Sequence, residues 1–228
     1  MFRRNQIYSH FDKSVRKDED SKFIIVGDVH GMTDKYAEMV KRYRHSLQVG
    51  DMGFGYKDLK KLDPENHKFI GGNHDNYDII NDCPNNLGDF GTWNVPDFGD
   101  IWFMRGAWSI DRLWRTVGIS WWENEELTRE ECEKAVDHYL ECKPDIVVTH
   151  DCPRDIYPYV GVPLYNYSVQ KTPEALQLMF NKHKPKAWIF GHHHQLLMEE
   201  IEGTQFVCLP EMCGLEIDLE KGDKNGNK

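Results

Sequence analysis

Short apolar runs alternate with helical patterns along most of the chain. FIIVG (23–27), SLQVG (46–50), HKFIGG (67–72), IWFMRG (101–106), TVGIS (116–120), DIVVTH (145–150) and KAWIFGH (186–192) read as buried strands bounded by turn residues. LLMEEIEGTQFVCLP (196–210) reads as a hairpin turning at Glu202–Gly203. Between these runs the spacing predicts helices over 33–44, 128–142 and 173–183, and a short one over 56–62. Thr33 or Asp34 suits the first N-cap, Thr128 with Glu131 forms a capping box for the second, and Pro173 sits in the first turn of the third. Strand–helix repeats followed by hairpin-like strands predict a layered α/β fold. In such sheets ligands gather at the carboxyl ends of strands.

At 228 residues, 39% of them hydrophobic, the chain suits one globular domain with a real core. Residues 1–22 are charged and aperiodic and are expected to form an N-terminal extension. The domain then runs over 23–219, and 220–228 form a flexible tail. No apolar run has the length of a membrane span, and the start lacks the apolar stretch of a secretory signal, so the expectation is a cytoplasmic protein without membrane contact. The six cysteines form no C-x-x-C pair and are expected to be buried or reduced thiols. A net charge of −10 argues against a broad nucleic-acid face, although bound divalent ions would reverse the sign locally.

The chemistry lies at the strand ends. Five apolar runs are followed by turn residues and metal-binding side chains: Gly27-Asp28-Val29-His30-Gly31, Gly50-Asp51-Met52-Gly53, Gly72-Asn73-His74-Asp75, Thr149-His150-Asp151 and Gly191-His192-His193-His194. Strands would deliver all of these to one rim, and glycines permit the tight turns by which several loops converge. Carboxylate, amide oxygen and neutral imidazole suit Mn, Fe, Zn, Ni or Co rather than thiolate-seeking metals. Each motif alone is weak; the five in order are specific.

This ordered set resembles the calcineurin-like metallophosphoesterase family, with matching motifs from 27 to 194. The resemblance implies a four-layer α/β/β/α sandwich of two mixed sheets flanked by helices, with the site at the sheet rim. It implies two divalent metal ions, manganese foremost. One would take Asp28, His30, Asp51 and His194, and the other Asp51, Asn73, His150 and His192, with Asp51 bridging. It makes His74 the catalytic group, facing substrate rather than metal. His193 is expected to point away from its neighbours, as adjacent side chains in an extended segment do. The phosphoprotein-phosphatase branch continues its second motif with an Asp that supports the catalytic His and an Arg that binds phosphate. Here Phe54 and Gly55 stand there. Asp75 and Asp78 are left as sequence neighbours that could orient His74.

Arg105, Arg112, Arg115 and Arg154 are the candidate substrate-binding residues, since guanidinium groups bind phosphate in fork geometry. The first three share residues 105–127 with Trp108, Trp114, Trp121 and Trp122. Aromatic faces stack on bases; the alternative makes these tryptophans core and the arginines surface ion pairs. The leading expectation is a dinuclear-metal-dependent phosphoesterase hydrolysing a monoester or diester by in-line attack of a metal-bridging hydroxide. Its substrate would be a phosphorylated small molecule, a nucleotide or a terminal phosphate rather than a long nucleic acid. A metal-dependent nuclease is one alternative, which predicts a basic groove. A non-catalytic binding protein that keeps the fold is the other.

Overall fold

The computed structural model describes residues 7–9, 19–163 and 170–218. The expected tail at 220–228 lies outside the described residues. Strand β1 (Ile7–Ser9) is followed by β2 (Glu19–Val26), helix α1 (Thr33–Val40), β3 (Tyr43–Gln48) and β4 (His67–Phe69). Then come β5 (Phe90–Val95), β6 (Gly99–Met104), α2 (Arg129–Cys142), β7 (Ile146–Thr149), α3 (Thr172–Lys182), β8 (Ala187–Phe190), β9 (Leu197–Ile201), β10 (Thr204–Cys208) and β11 (Cys213–Asp218).

The strands form two mixed sheets, one ordered β1-β11-β2-β3-β4 and the other β5-β6-β7-β8-β10-β9. β2, β3 and β4 run parallel, as do β6, β7, β8 and β10. Parallel strands buried on both faces need apolar residues at successive positions, and FIIV, IWFM and WIF supply them. Period-two alternation then divides each run between two layers. Phe23, Ile25, Ile101, Phe103, Val148, Ile189 and Val207 meet between the sheets. Ile24 and Val26 face outward onto Tyr36, Ala37 and Val40 of α1. Trp102, Met104, Trp188 and Phe206 face the other way onto Tyr139 of α2 and Leu176 and Phe180 of α3. The result is the expected four-layer sandwich.

Helix α2 carries its capping box: Thr128 Oγ1 accepts from Glu131 N at 3.2 Å, and Glu131 Oε2 accepts from Thr128 N at 2.8 Å. The hairpin of β9 and β10 turns at Glu202–Gly203 as expected. Helix α1 stops at Val40 rather than 44, because β3 starts at Tyr43. Tyr43 is buried there, and its hydroxyl donates to Glu216 across the sheet at 2.5 Å.

TVGIS (116–120) is not a strand; it makes one isolated bridge, Val117 to Trp121. Val117 and Ile119 are exposed, so an apolar run here reflects no burial. It belongs to a largely irregular strap, residues 105–127, that leaves the end of β6 and returns to α2. The strap has only two short 3-10 turns, Arg112–Trp114 and Glu123–Glu125. No helix among the described residues is long and apolar enough to cross a membrane.

Candidate metal centre

The five strand-end loops converge on one rim, held by backbone bonds. Val29 N and His30 N both donate to Asp51 O, at 3.0 and 2.8 Å, and Gly31 N donates to Met52 O at 2.9 Å. Gly191 N donates to His150 O at 3.1 Å, joining the last two loops. Asp75, fully buried, ties the second loop to the third: its carboxylate accepts from Met52 N, Gly53 N, Gly72 N and the Tyr56 hydroxyl at 2.8–3.3 Å.

Two glycines act here through the side chain they lack. A Cβ on Gly72 would collide with Asp51 and lie 2.7 Å from His150 Nε2; one on Gly191 would collide with Asp28 and lie 2.7 Å from Val49. Gly31, Gly50 and Gly53 take positive φ without strain, but four candidate ligands take it as well. His30, Asp51, His192 and His194 adopt left-handed φ values of 46°, 58°, 64° and 53°. Such φ costs a non-glycine residue roughly 1–2 kcal/mol and persists where surrounding structure over-determines it, as at functional sites.

These turns gather two groups of donors. Asp28, His30 and His194 form one, and Asp51, His150 and His192 the other. In the first, His30 Nε2 and His194 Nε2 lie 2.9 Å apart, and His194 Nε2 is 3.0 Å from Asp28 Oδ2. In the second, His150 Nε2 lies 3.1 Å from Asn73 Oδ1 and 3.2 Å from Asp51 Oδ1. The other oxygen of Asp51, Oδ2, faces His30 Nε2 at 3.9 Å. Asp51 therefore stands between the groups with one oxygen toward each.

The donor set fits divalent cations. Burial opposes charge on Asp28, but hydrogen bonds to His194 and His30 hold its carboxyl well below the usual range. Burial also opposes charge on Asp51, yet His150 brings it down to about 2. Burial lowers His192 to about 4, keeping it neutral as a ligand must be. His150 behaves oppositely: against burial, Asp51 and Asp28 push it up to about 10. The negative field that draws a proton there would also draw a cation, which would displace that proton.

His74 lies beside this cluster, its ring centroid 5.1 Å from that of His30. Neither sequence neighbour orients it. Asp75 is engaged as described, and Asp78 accepts from Trp122 Nε1 at 2.9 Å. Arg115 does so instead: its Nη2 meets His74 Nε2 at 2.5 Å and pairs with Asp111 Oδ1 at 2.7 Å. A guanidinium only donates, so Nε2 is an acceptor and His74 is neutral. Burial lowers its pKa, and the Arg115 cation adds to the effect. Phe54, where the phosphatase branch keeps Asp, packs at 5.5 Å on Trp122.

The four arginines part company. Arg115 lines a cavity of about 540 Å³ over the candidate metal centre, with Asp51, Asn73, His74, Trp108, His192 and His194 among the other lining residues. Arg112 covers the Trp108 ring at 3.8 Å. Arg105 is buried and donates to Asp89 and to the Asn124 and Glu125 carbonyls. Arg154 pairs with Glu174 at 3.2 Å. These last three are not among the residues lining the cavity.

The sequence did not disclose Ser109 and Glu125. The Ser109 hydroxyl donates to Glu125 Oε2 at 2.5 Å and accepts from Asn73 Nδ2 at 3.1 Å, which leaves Asn73 Oδ1 turned to His150. No short motif marks a Ser and a Glu sixteen residues apart. His193 meets Asp151 Oδ1 at 3.1 Å and Cys152 Sγ at 3.5 Å, outside both donor groups, although its ring centroid is 4.9 Å from that of His192 and it lines the same cavity. The segment is not extended: His192 and His194 both take positive φ.

No curated protein matches the sequence. Among solved structures, the phosphopantetheinyl hydrolase of Mycobacterium tuberculosis aligns over 86% of this chain and 91% of its own, at 14% identity and TM-score 0.48. A putative 5'-nucleotidase from Staphylococcus aureus aligns over 86% of this chain and 50% of its own, at 13% identity and TM-score 0.48. An archaeal phosphodiesterase aligns over 83% and 84%, at 14% identity and TM-score 0.37. The substrate is therefore argued from this chain's own residues. The sequence pattern of calcineurin-like phosphoesterases matches residues 21–196. That span takes in all five converging loops, and the chain belongs to the calcineurin-like phosphoesterase family, as a metal-dependent phosphoesterase.

Proposed function

We propose that the chain hydrolyses a phosphate monoester or diester carrying a small or terminal phosphate, at a centre of two divalent ions. Asp28, His30, Asp51 and His194 would hold one ion, and Asp51, Asn73, His150 and His192 the other. The placement of Asp51, one oxygen toward each group, is the observation that carries this reading. The ligand set permits manganese, iron, zinc, nickel or cobalt, and the family resemblance puts manganese foremost. Bound there, the ions would polarise phosphoryl oxygens and bring water to deprotonation near neutral pH.

The chain's own residues do the rest. Asn73 is aimed by Ser109, and the backbone N–H of His74 donates to Asp51 Oδ1 at 2.6 Å, fixing the carboxylate between the two groups. Arg115 faces the cavity and is the single Lys or Arg among the described residues lining it. A phosphate dianion is a better guanidinium partner than an imidazole. Substrate entry would thus draw Arg115 from His74 to phosphate and free Nε2. His74 could then take up a proton and deliver it to the leaving alkoxide. One cationic side chain suits one phosphate group and does not favour a polymer groove.

A panel of phosphomonoesters and phosphodiesters, assayed with Mn²⁺ added, tests the reading. Turnover that disappears with chelator is the expected result. No turnover of any member would sink it.

A further inference from the structure

The strap carries the most exposed apolar side chains of the described residues, and its base is fixed to the candidate metal centre. Ser109 is held between buried Glu125 and Asn73. Its two neighbours, Trp108 and Ile110, therefore flank that ligand, and both line the cavity over the centre. Trp108 is half-buried, with the Arg112 guanidinium over its ring, so the indole is braced. Ile110 is 77% exposed although it stands at the mouth of a cavity. Tyr157, Val162 and Pro163 line the same cavity. Large apolar side chains at a cavity rim mark a place where apolar surface is to be covered. A volume of about 540 Å³ is that of a small-molecule site.

We propose that Trp108, Ile110, Val162 and Pro163 form a subsite for an apolar, preferably aromatic, group on the alcohol side of the substrate. This rests on the phosphoesterase reading above and narrows it: the substrate is the phosphate ester of a compact aromatic alcohol. The phosphate lies toward Arg115 and the candidate metal ligands, and the ring lies against the strap. Specificity then comes from the strap together with Val162 and Pro163, while the strand-end loops supply the metal-ligating groups.

The test uses 2-phenylethyl phosphate against ethyl phosphate, and the methyl diesters of both. The paired alcohols are of similar acidity, so the bond to be broken is alike and the ring is the difference. With Mn²⁺ supplied, the phenylethyl ester is expected to show kcat/KM about tenfold or more above the ethyl ester, as burial of a ring implies. Trp108→Ala and Ile110→Ala should each shrink that ratio. Ile110 is exposed enough that its truncation leaves no core cavity. A ratio near one in the native protein, with the ethyl ester turned over, would overturn the subsite alone. Calorimetry with the non-hydrolysable phenylethyl- and ethylphosphonates separates the two claims. Preferential binding of the aromatic phosphonate without hydrolysis of any ester would keep the subsite and remove the phosphoesterase reading. Equal binding together with no hydrolysis would remove both.

Discussion

Asp28, Asp51, Asn73 and His150 are at most 3% exposed, while Ile110, Leu113, Trp114, Val117 and Ile119, on the neighbouring strap, are 64–83% exposed. The first set sits on loops whose backbones bond to one another and whose Gly72 and Gly191 admit no Cβ. The second sits on a segment with two 3-10 turns and one isolated bridge. A change in the loops must propagate, because every neighbour is already in contact. A change on the outer strap meets water. Reaction chemistry that needs sub-ångström placement belongs on the loops. Discrimination between alcohols tolerates looser placement and belongs on the strap.

The comparison breaks most easily at Gly72. Its replacement by alanine drives a methyl group into Asp51 and His150 and should lower metal affinity by more than about a hundredfold, the upper range for disturbed ligand support. Metal analysis of the purified variant, beside its turnover, checks this. Retention of full metal content would show that the loops yield more than their contacts imply.

Asp75→Ala comes next. It strands three backbone N–H groups and the Tyr56 hydroxyl. At about 1–3 kcal/mol for each unsatisfied buried group, the loss should reach about 3 kcal/mol or more. Urea unfolding of the metal-free protein reads it without involving the reaction.

These loops were legible because their signal is local. FIIV-Gly-Asp-x-His and its four counterparts state both the strand and the donor within a few residues, and Thr128 with Glu131 states a helix start in four. Strands β5 and β11 were not, since FGTWNV and CGLEID mix glycine, Asn or Glu into the run and take their stability from pairing. TVGIS misled for the converse reason: it has β-branched residues and no partner strand. Ser109, Glu125 and the Arg115–His74 contact depend on how the strap returns over the rim. Such long-range geometry leaves no spacing to read. The glycine argument held for Gly31, Gly50 and Gly53, which take positive φ, and for Gly72 and Gly191, which serve close approach; that His30, Asp51, His192 and His194 take left-handed φ themselves was not legible.

Arg115 joins the two regions, lying on the strap and touching His74. Arg115→Ala should lower kcat by about tenfold or more if a phosphate contact in the transition state is lost. KM should rise as well if that contact already exists with bound substrate. Arg115→Lys should recover part of the loss, since it restores the charge without the fork. Steady-state kinetics on any turned-over ester decides. The smallest effect is expected at the strap's outer face. Leu113→Ser and Trp114→Ser should move stability by no more than about 0.5 kcal/mol, as for exposed sites without partners. A larger change in a thermal or urea melt would mean that the strap is packed against something.

The central claim is that Asp51 joins two metal sites. Native protein and Asp51→Asn, each loaded with Mn²⁺, can be compared by metal analysis and electron paramagnetic resonance. The account predicts two manganese ions per chain with the spectrum of an exchange-coupled pair, and loss of that coupling in the variant. One ion per chain, or two ions without coupling in the native protein, would contradict it.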